Sequence, residues 1–220
     1  MVFARKIAVV LAVVFGVATV ALAQRMQQPP PIPTFAFNPV VGSGAQYEIN
    51  AKNQQKMGWT WAIVGKEGAE GADGYWMEMR TDVPKQGEMV MKQLMVVREG
   101  VPDIKRMIVQ MTGQPPMEMP MGMMGGMMKK GQQAAEGKES ATPVKVGTET
   151  VTVPAGTFLC DHYRTTSGNV TADVWISSKV APYGMVKMTS ADTSMVLLKV
   201  LENETSHIKG EPQKIEMPHF

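Results

Sequence analysis

Period-two alternation between apolar and polar residues, cut repeatedly by glycine and proline, constrains this chain more than any other feature. In "GYWMEMR", Tyr75, Met77 and Met79 fall on one side and Trp76, Glu78 and Arg80 on the other. "MGWTWAIVG" puts Trp59, Trp61 and Ile63 together, and "YEINA" precedes it. Successive side chains of a strand point to opposite faces, so this pattern predicts strands with two distinct faces. "GKEGAEGADG" reads as a turn-rich hairpin connection. "EMVMKQLMVVREG" contains good helix formers, but "VVREGVPDIKRMIVQM" behind it favours two strands joined at Gly100-Val101-Pro102-Asp103.

The alternation resumes after residue 142. "GTETVTVPAGTFLCDHYRTT" gives two strands around a Pro154-Ala155-Gly156 turn. "VTADVWISSKVAPYGMVKM" gives two more around Pro182-Tyr183-Gly184, and "TSMVLLKVLENET" a last one. The expected fold is mainly β: a single curved antiparallel sheet, a half-barrel with a long Met-rich loop. Residues 44–111 and 144–205 belong to one continuous sheet, because neither half alone has enough strands to bury its faces.

The first 23 residues carry a different signal. Arg5 and Lys6 precede an apolar run, Ile7 to Leu22, and Ala21-Leu22-Ala23 is a small-x-small cleavage site. This predicts a secretory signal peptide, residues 1–23, removed after Ala23, and a periplasmic or secreted product. Loss of Arg5 and Lys6 from 22 basic residues leaves 20 against 20 acidic ones. A mature chain of zero formal charge argues against an electrostatic nucleic-acid binder. Cys160 is the single cysteine, so no internal disulfide is available. Residues 24–43 read as a proline-rich tail, 44–205 as the β-rich domain with an insertion at 112–142, and 206–220 as a C-terminal tail.

Within that insertion, "PPMEMPMGMMGGMMKK" holds Met117, Met119, Met121, Met123, Met124, Met127 and Met128. Glycine and proline forbid a regular helix here. Methionine is unbranched and polarizable and repacks around varied apolar partners. These seven residues are the expected ligand-binding flap, covering a hydrophobic small molecule, a lipid or an envelope protein. The rival reading is a Cu(I) site at Met117, Met119, Met121, Met124 and Met127, since thioethers are soft ligands. A third reading gives the insertion no task. Methionine is also frequent at residues 77, 79, 89, 91, 95, 107, 111, 185, 188 and 195.

"CDHYR" puts Phe158, Cys160, His162 and Arg164 on one side of a strand, where Cys160 and His162 could meet a metal or form a thiolate pair. A structural cysteine and a hydrogen-bonded histidine are the simpler expectation. Trp59, Trp61, Trp76 and Trp175 are expected in the core. There is no G-x-S-x-G, H-E-x-x-H, P-loop or G-x-G-x-x-G signature, so no catalytic residue is chosen and a non-enzymatic role is expected, with no cofactor beyond the Cu(I) alternative.

"TETVTVPAGTFLCDHYR" followed by "ADVWISSKVAPYGMVKM", within residues 147–188, resembles exported bacterial proteins with a "V-P-A-G-T-F" turn, a tryptophan strand and "P-x-G-x-V-K". That group is similar in fold to the Lol-type lipoprotein carriers. The resemblance implies a curved antiparallel half-barrel with a hydrophobic inner face. The chain has no obvious lid helix of the carrier type and carries the Met-rich loop instead. A strongly bent sheet leaves an apolar concavity unless something plugs it, and the Met-rich segment is the expected plug.

Overall fold

The computed structural model describes residues 37–52, 55–69, 71–83, 85–98, 101–120, 143–167 and 170–214. Among these there is no helix. The strands are β1 (Gly44–Ala51), β2 (Met57–Ala69), β3 (Ala72–Val83), β4 (Gly87–Arg98), β5 (Val101–Met111), β6 (Met117–Glu118), β7 (Val144–Val153), β8 (Gly156–Ser167), β9 (Val170–Ile176), β10 (Met185–Ser190), β11 (Thr193–Leu201) and β12 (Gln213–Lys214). They make one sheet in the order β12-β6-β5-β4-β3-β2-β1-β11-β10-β9-β8-β7. Only the two-residue pair β12–β6 is parallel. The ambiguous methionine segment is strand from Glu88 to Arg98, within β4, and β5 follows it; the expected single curved sheet is what forms.

The two halves of the chain meet at β1 and β11, paired from Gly44↔Leu201 to Ala51↔Thr193. Tyr47 lies at this seam, fully buried. Its hydroxyl donates to the Met185 carbonyl at 3.0 Å, and its ring stands 5.1 Å from that of Trp61. Beyond the seam the sheet curls: β7, at the far edge, comes back against β10 and β11. Among the described residues β12 and β7, the two ends of the sheet, do not pair with each other, so the barrel is open.

Cross-strand partners point to the same side of a sheet, so the register defines two faces. The inner face carries Tyr47, Trp59, Trp61, Ile63, Met77, Met95, Val174, Met188, Met195 and Leu197. At its centre Tyr183 and Phe37 fill the concavity. Their rings lie 5.2 Å apart, Tyr183 meets Trp61 edge-on at 5.5 Å, and its hydroxyl donates to Met77 Sδ at 3.2 Å. Burial pushes the Tyr183 hydroxyl up to about 12. The 177–184 turn and the end of the N-terminal segment thus fill the centre of the concavity; the Met-rich stretch from residue 121 on, the expected plug, lies outside the described residues. Gly184 permits that turn: its φ is +71°, and a Cβ there would meet Ile176 Cγ2 at 2.7 Å.

The outer face of β3–β5 is covered by residues 202–214. Glu78, with 0% exposure, accepts Ser206 Oγ at 2.8 Å and the His207 N–H at 3.0 Å. Arg80 pairs with Glu204 at 2.5 Å, and Gln110 accepts the Lys209 N–H at 2.8 Å. Ile208 packs on Trp76, Leu94 and Ile108. The stretch read as a C-terminal tail is thus, from Ser206 to Lys214, a strap tied to the sheet. The stretch read as the insertion 112–142 also begins on the sheet. There β6 pairs Met117 with Val109 and Glu118 with Ile108, and Arg106 binds Glu118 at 2.7 Å. This hydrogen bond from Arg106 holds the Glu118 carboxyl below the usual carboxylate range.

Candidate functional site

Every strand-borne methionine among the described residues points to the inner face. Met77 shares a row with Gln93 and Met107. Met79 stands opposite Met91, which stands opposite Val109, which stands opposite Met117. Met89 stands opposite Met111. A row that crosses the seam runs Met57, Ile49, Met195 and Met188, and beyond the seam Met185 stands opposite Ile176. Within β3, β4 and β5 successive methionines are two or four residues apart, so alternation puts them together; on β10 Met185 and Met188 are three apart, and a register shift between Met185 and Lys187 intervenes.

Their burial divides them. Met185, Met188 and Met195 are fully packed, and Met77 and Met95 belong to the cluster around Ile63. By contrast Met79, Met89, Met91, Met107 and Met111 are only partly buried, and Met117 is 42% exposed. These six form a continuous thioether patch across β3, β4, β5 and β6. The opposite face of the same strands is built differently. Val90, Leu94 and Ile108 are branched, nearly fully buried, and lie on the side that the strap covers. Branched side chains have few rotamers and suit a permanent contact, whereas methionine adapts its shape. One ladder thus carries a fixed apolar face and an adaptable one.

Gln93 and Trp59 each place a polar group within this face. The Gln93 amide donates to Met91 Sδ at 3.2 Å. Trp59 is buried, and its Nε1–H has no hydrogen-bond partner among the described residues. Trp59 shares a row with Thr81, Met89 and Met111. A buried, unpaired donor costs about 1–3 kcal/mol, which an acceptor on a bound molecule would relieve.

Of the residues singled out in the sequence, Met117 sits on β6, and Met119 continues it with its N–H donating to the Met107 carbonyl at 2.9 Å. Met121, Met123, Met124, Met127 and Met128 lie outside the described residues. The patch on β3–β5 was visible in the sequence only as a general methionine bias. The signal that locates it is the spacing of two or four inside strand-patterned segments.

The "CDHYR" segment forms no thiol site. Cys160 is 1% exposed, and burial, then Glu149 and Asp161, push its thiol up to about 11. A thiol so placed is protonated and unreactive at neutral pH. Native protein should therefore resist alkylation by iodoacetamide at pH 8 and react fully in denaturant; fast modification of the native chain would contradict this placement. His162 turns to carboxylates instead, with Nε2 2.8 Å from Asp173 and Nδ1 3.3 Å from Glu149. Its ring stacks on Trp175 at 4.5 Å and 16°, and Lys187 lies 5.0 Å over the other ring. For Asp173 burial opposes ionisation, but hydrogen bonds from Arg164 and His162 outweigh it and hold the carboxyl low. Trp175, expected in the core, belongs to this outward-facing cluster, and its Nε1 donates to Glu149. Among the described residues no group of three or more His, Cys, Asp or Glu is placed to hold a metal ion.

Solved crystal structures similar to the chain include these two. A candidate lipoprotein from Parabacteroides distasonis shares 11% identity, covering 78% of this chain and 100% of that one, with a TM-score of 0.37. A candidate exported protein of YmcC-like fold from Bacteroides fragilis shares 10%, covering 76% and 98%, with a TM-score of 0.39. No curated protein matches the chain. A single family model spans residues 47–216, from within β1 to past β12, and by that match the chain belongs to the family described as a domain of unknown function, DUF4412.

Proposed function

We propose that this is an exported, non-catalytic binding protein that presents the methionine patch of β3–β6 to a hydrophobic ligand or an envelope partner. The observation that carries the reading is the contrast between the two faces of the same strands. Branched residues lie under the strap, and methionines occupy the face that stays partly open. Met117 and Met119 bring the start of the insertion onto that face, and the five methionines that follow extend the same chemistry as the flap. Export rests on the n-region, apolar run and cleavage site of residues 1–23.

The test uses mature protein beginning at Gln24 and a fluorescent long-chain fatty acid. Binding is expected, and Met79→Ser, Met91→Ser and Met107→Ser together should weaken it at least about tenfold, or 1.4 kcal/mol. The matching leucine variants should keep most of the affinity, because apolar area survives. Serine variants that bind like the parent would remove the patch from the function. Recovery of the chain with Met1 retained in a membrane fraction would overturn export.

A further inference from the structure

Strand β5 carries two rows with different tasks. Met107, Val109 and Met111 lie on the methionine face, and Arg106, Ile108 and Gln110 on the outer one. Each outer residue holds another part of the chain. Arg106 takes Glu118 of β6, Nε to Oε1 at 2.7 Å and Nη2 to Oε2 at 3.3 Å, and reaches Glu67 of β2 at 3.4 Å. Ile208 of the strap packs on the cluster that Ile108 shares with Trp76 and Leu94. The Gln110 amide donates to the Gln114 carbonyl at 2.9 Å and to the Lys209 carbonyl at 3.0 Å, and its oxygen accepts the Lys209 N–H at 2.8 Å. Gln110 thus ties the turn that leads into β6 to the strap that covers β5. The strap then ends on β6 itself: Gln213 pairs with Met117 and Lys214 with Glu118, and the Gln213 N–H donates to the Pro116 carbonyl at 2.9 Å.

By itself β6 is a weak element. It is two residues long and pairs with β5 at two positions, too short a ladder to persist alone. The ties from the outer row of β5 and from the strap therefore decide whether it stays on the sheet. Neighbouring side chains of a strand point to opposite faces, so Glu118, drawn outward to Arg106, turns Met117 inward. Met117 then closes the row that runs Met79, Met91, Val109 and Met117. Its 42% exposure shows that its own packing holds it little. We propose that Arg106, Gln110 and the β12 end of the strap form a clamp that positions β6 from the outer face, and so regulates how tightly the methionine face holds an apolar ligand. The inference rests on the apolar-binding reading above. A closed clamp completes the patch with Met117; an open one withdraws Met117 and leaves the inner row of β5 as the rim. Arg106 and Gln110 lie on the face opposite the patch, so they act as positioning residues.

Two substitutions in the full mature protein test the clamp. Gln213→Pro deletes, at an exposed position, the N–H given to Pro116, and Arg106→Ala frees Glu118. The Met119 N–H, donated to the Met107 carbonyl, reports whether β6 is docked. Without ligand, each variant should speed hydrogen exchange at that amide at least about tenfold and move the methyl-¹³C resonance of Met117. Unmoved resonances of Met185, Met188 and Met195 show that the fold is intact. Affinity for the fluorescent long-chain fatty acid should fall about threefold or more. Arg106→Lys, which keeps a cation for Glu118, should recover most of the exchange protection and of the affinity. Parental exchange at Met119 in both variants, or a loosened β6 with parental affinity, would overturn the clamp and leave the apolar reading standing. A parent protein that binds no fatty acid would overturn both.

Discussion

Tyr47→Ala is expected to lower the unfolding free energy by about 3–5 kcal/mol, the usual cost of deleting a fully buried aromatic side chain. Tyr47 lies on β1, the strand that joins the two halves, and one substitution removes both its contact with Trp61 and its hydrogen bond to Met185. The loss should appear as a lower urea midpoint with one cooperative transition, because β1 pairs with β2 and β11 at once. Tyr47→Phe keeps the ring and should cost only about 1–2 kcal/mol, leaving the Met185 carbonyl without its donor. Two separate transitions in the alanine variant would mean that the halves fold independently, against the seam described above.

Glu78→Ala should cost about 3 kcal/mol, because removing one member of a buried charged cluster leaves its partners unsatisfied. Ser206 and the His207 N–H lose their acceptor, while Arg80 keeps Glu204. The effect should be local before it is global. Amide exchange at residues 206–209 should accelerate more than at β3 or β4, since the strap loses its anchor and the ladder does not. A variant in which the strap amides stay as protected as in the parent would show that Ile208 packing alone holds it. The carboxylates held low add an acid limit. Glu118 binds Arg106 and Asp173 binds Arg164 and His162. Their stabilisation is present above the unfolded carboxylate range and is lost as the pH falls through the depressed folded values.

Much of this architecture was legible in the sequence because strand alternation is local. "GYWMEMR" and "TFLCDHYR" assign faces without knowledge of their neighbours, and the turn at Pro154-Ala155-Gly156 follows from backbone preference. What was not legible depends on long-range pairing. Tyr47 and Met185 are 138 residues apart, and nothing near either announces the seam. Glu78 reads as an outward charge on an alternating strand; it is buried because residues 128 and 129 positions later supply its donors. β6 and β12 are too short to carry any periodic signal. Trp175 looked like core by residue type, yet it faces outward because Asp173 and Lys187 share its side of the sheet. Methionine composition drew attention to residues 117–128, where density is highest, although strand parity places Met79, Met89, Met91, Met107 and Met111 on one partly open face.

Methyl-¹³C methionine spectra recorded during titration with a long-chain fatty acid test the central claim most directly, because each methyl reports its own surroundings. Covering of the open patch predicts saturable shifts at Met79, Met89, Met91, Met107, Met111 and Met117, with Met185, Met188 and Met195 unmoved. Spectra in which those six resonances stay fixed while the ligand binds, or in which only the packed methionines respond, would contradict it.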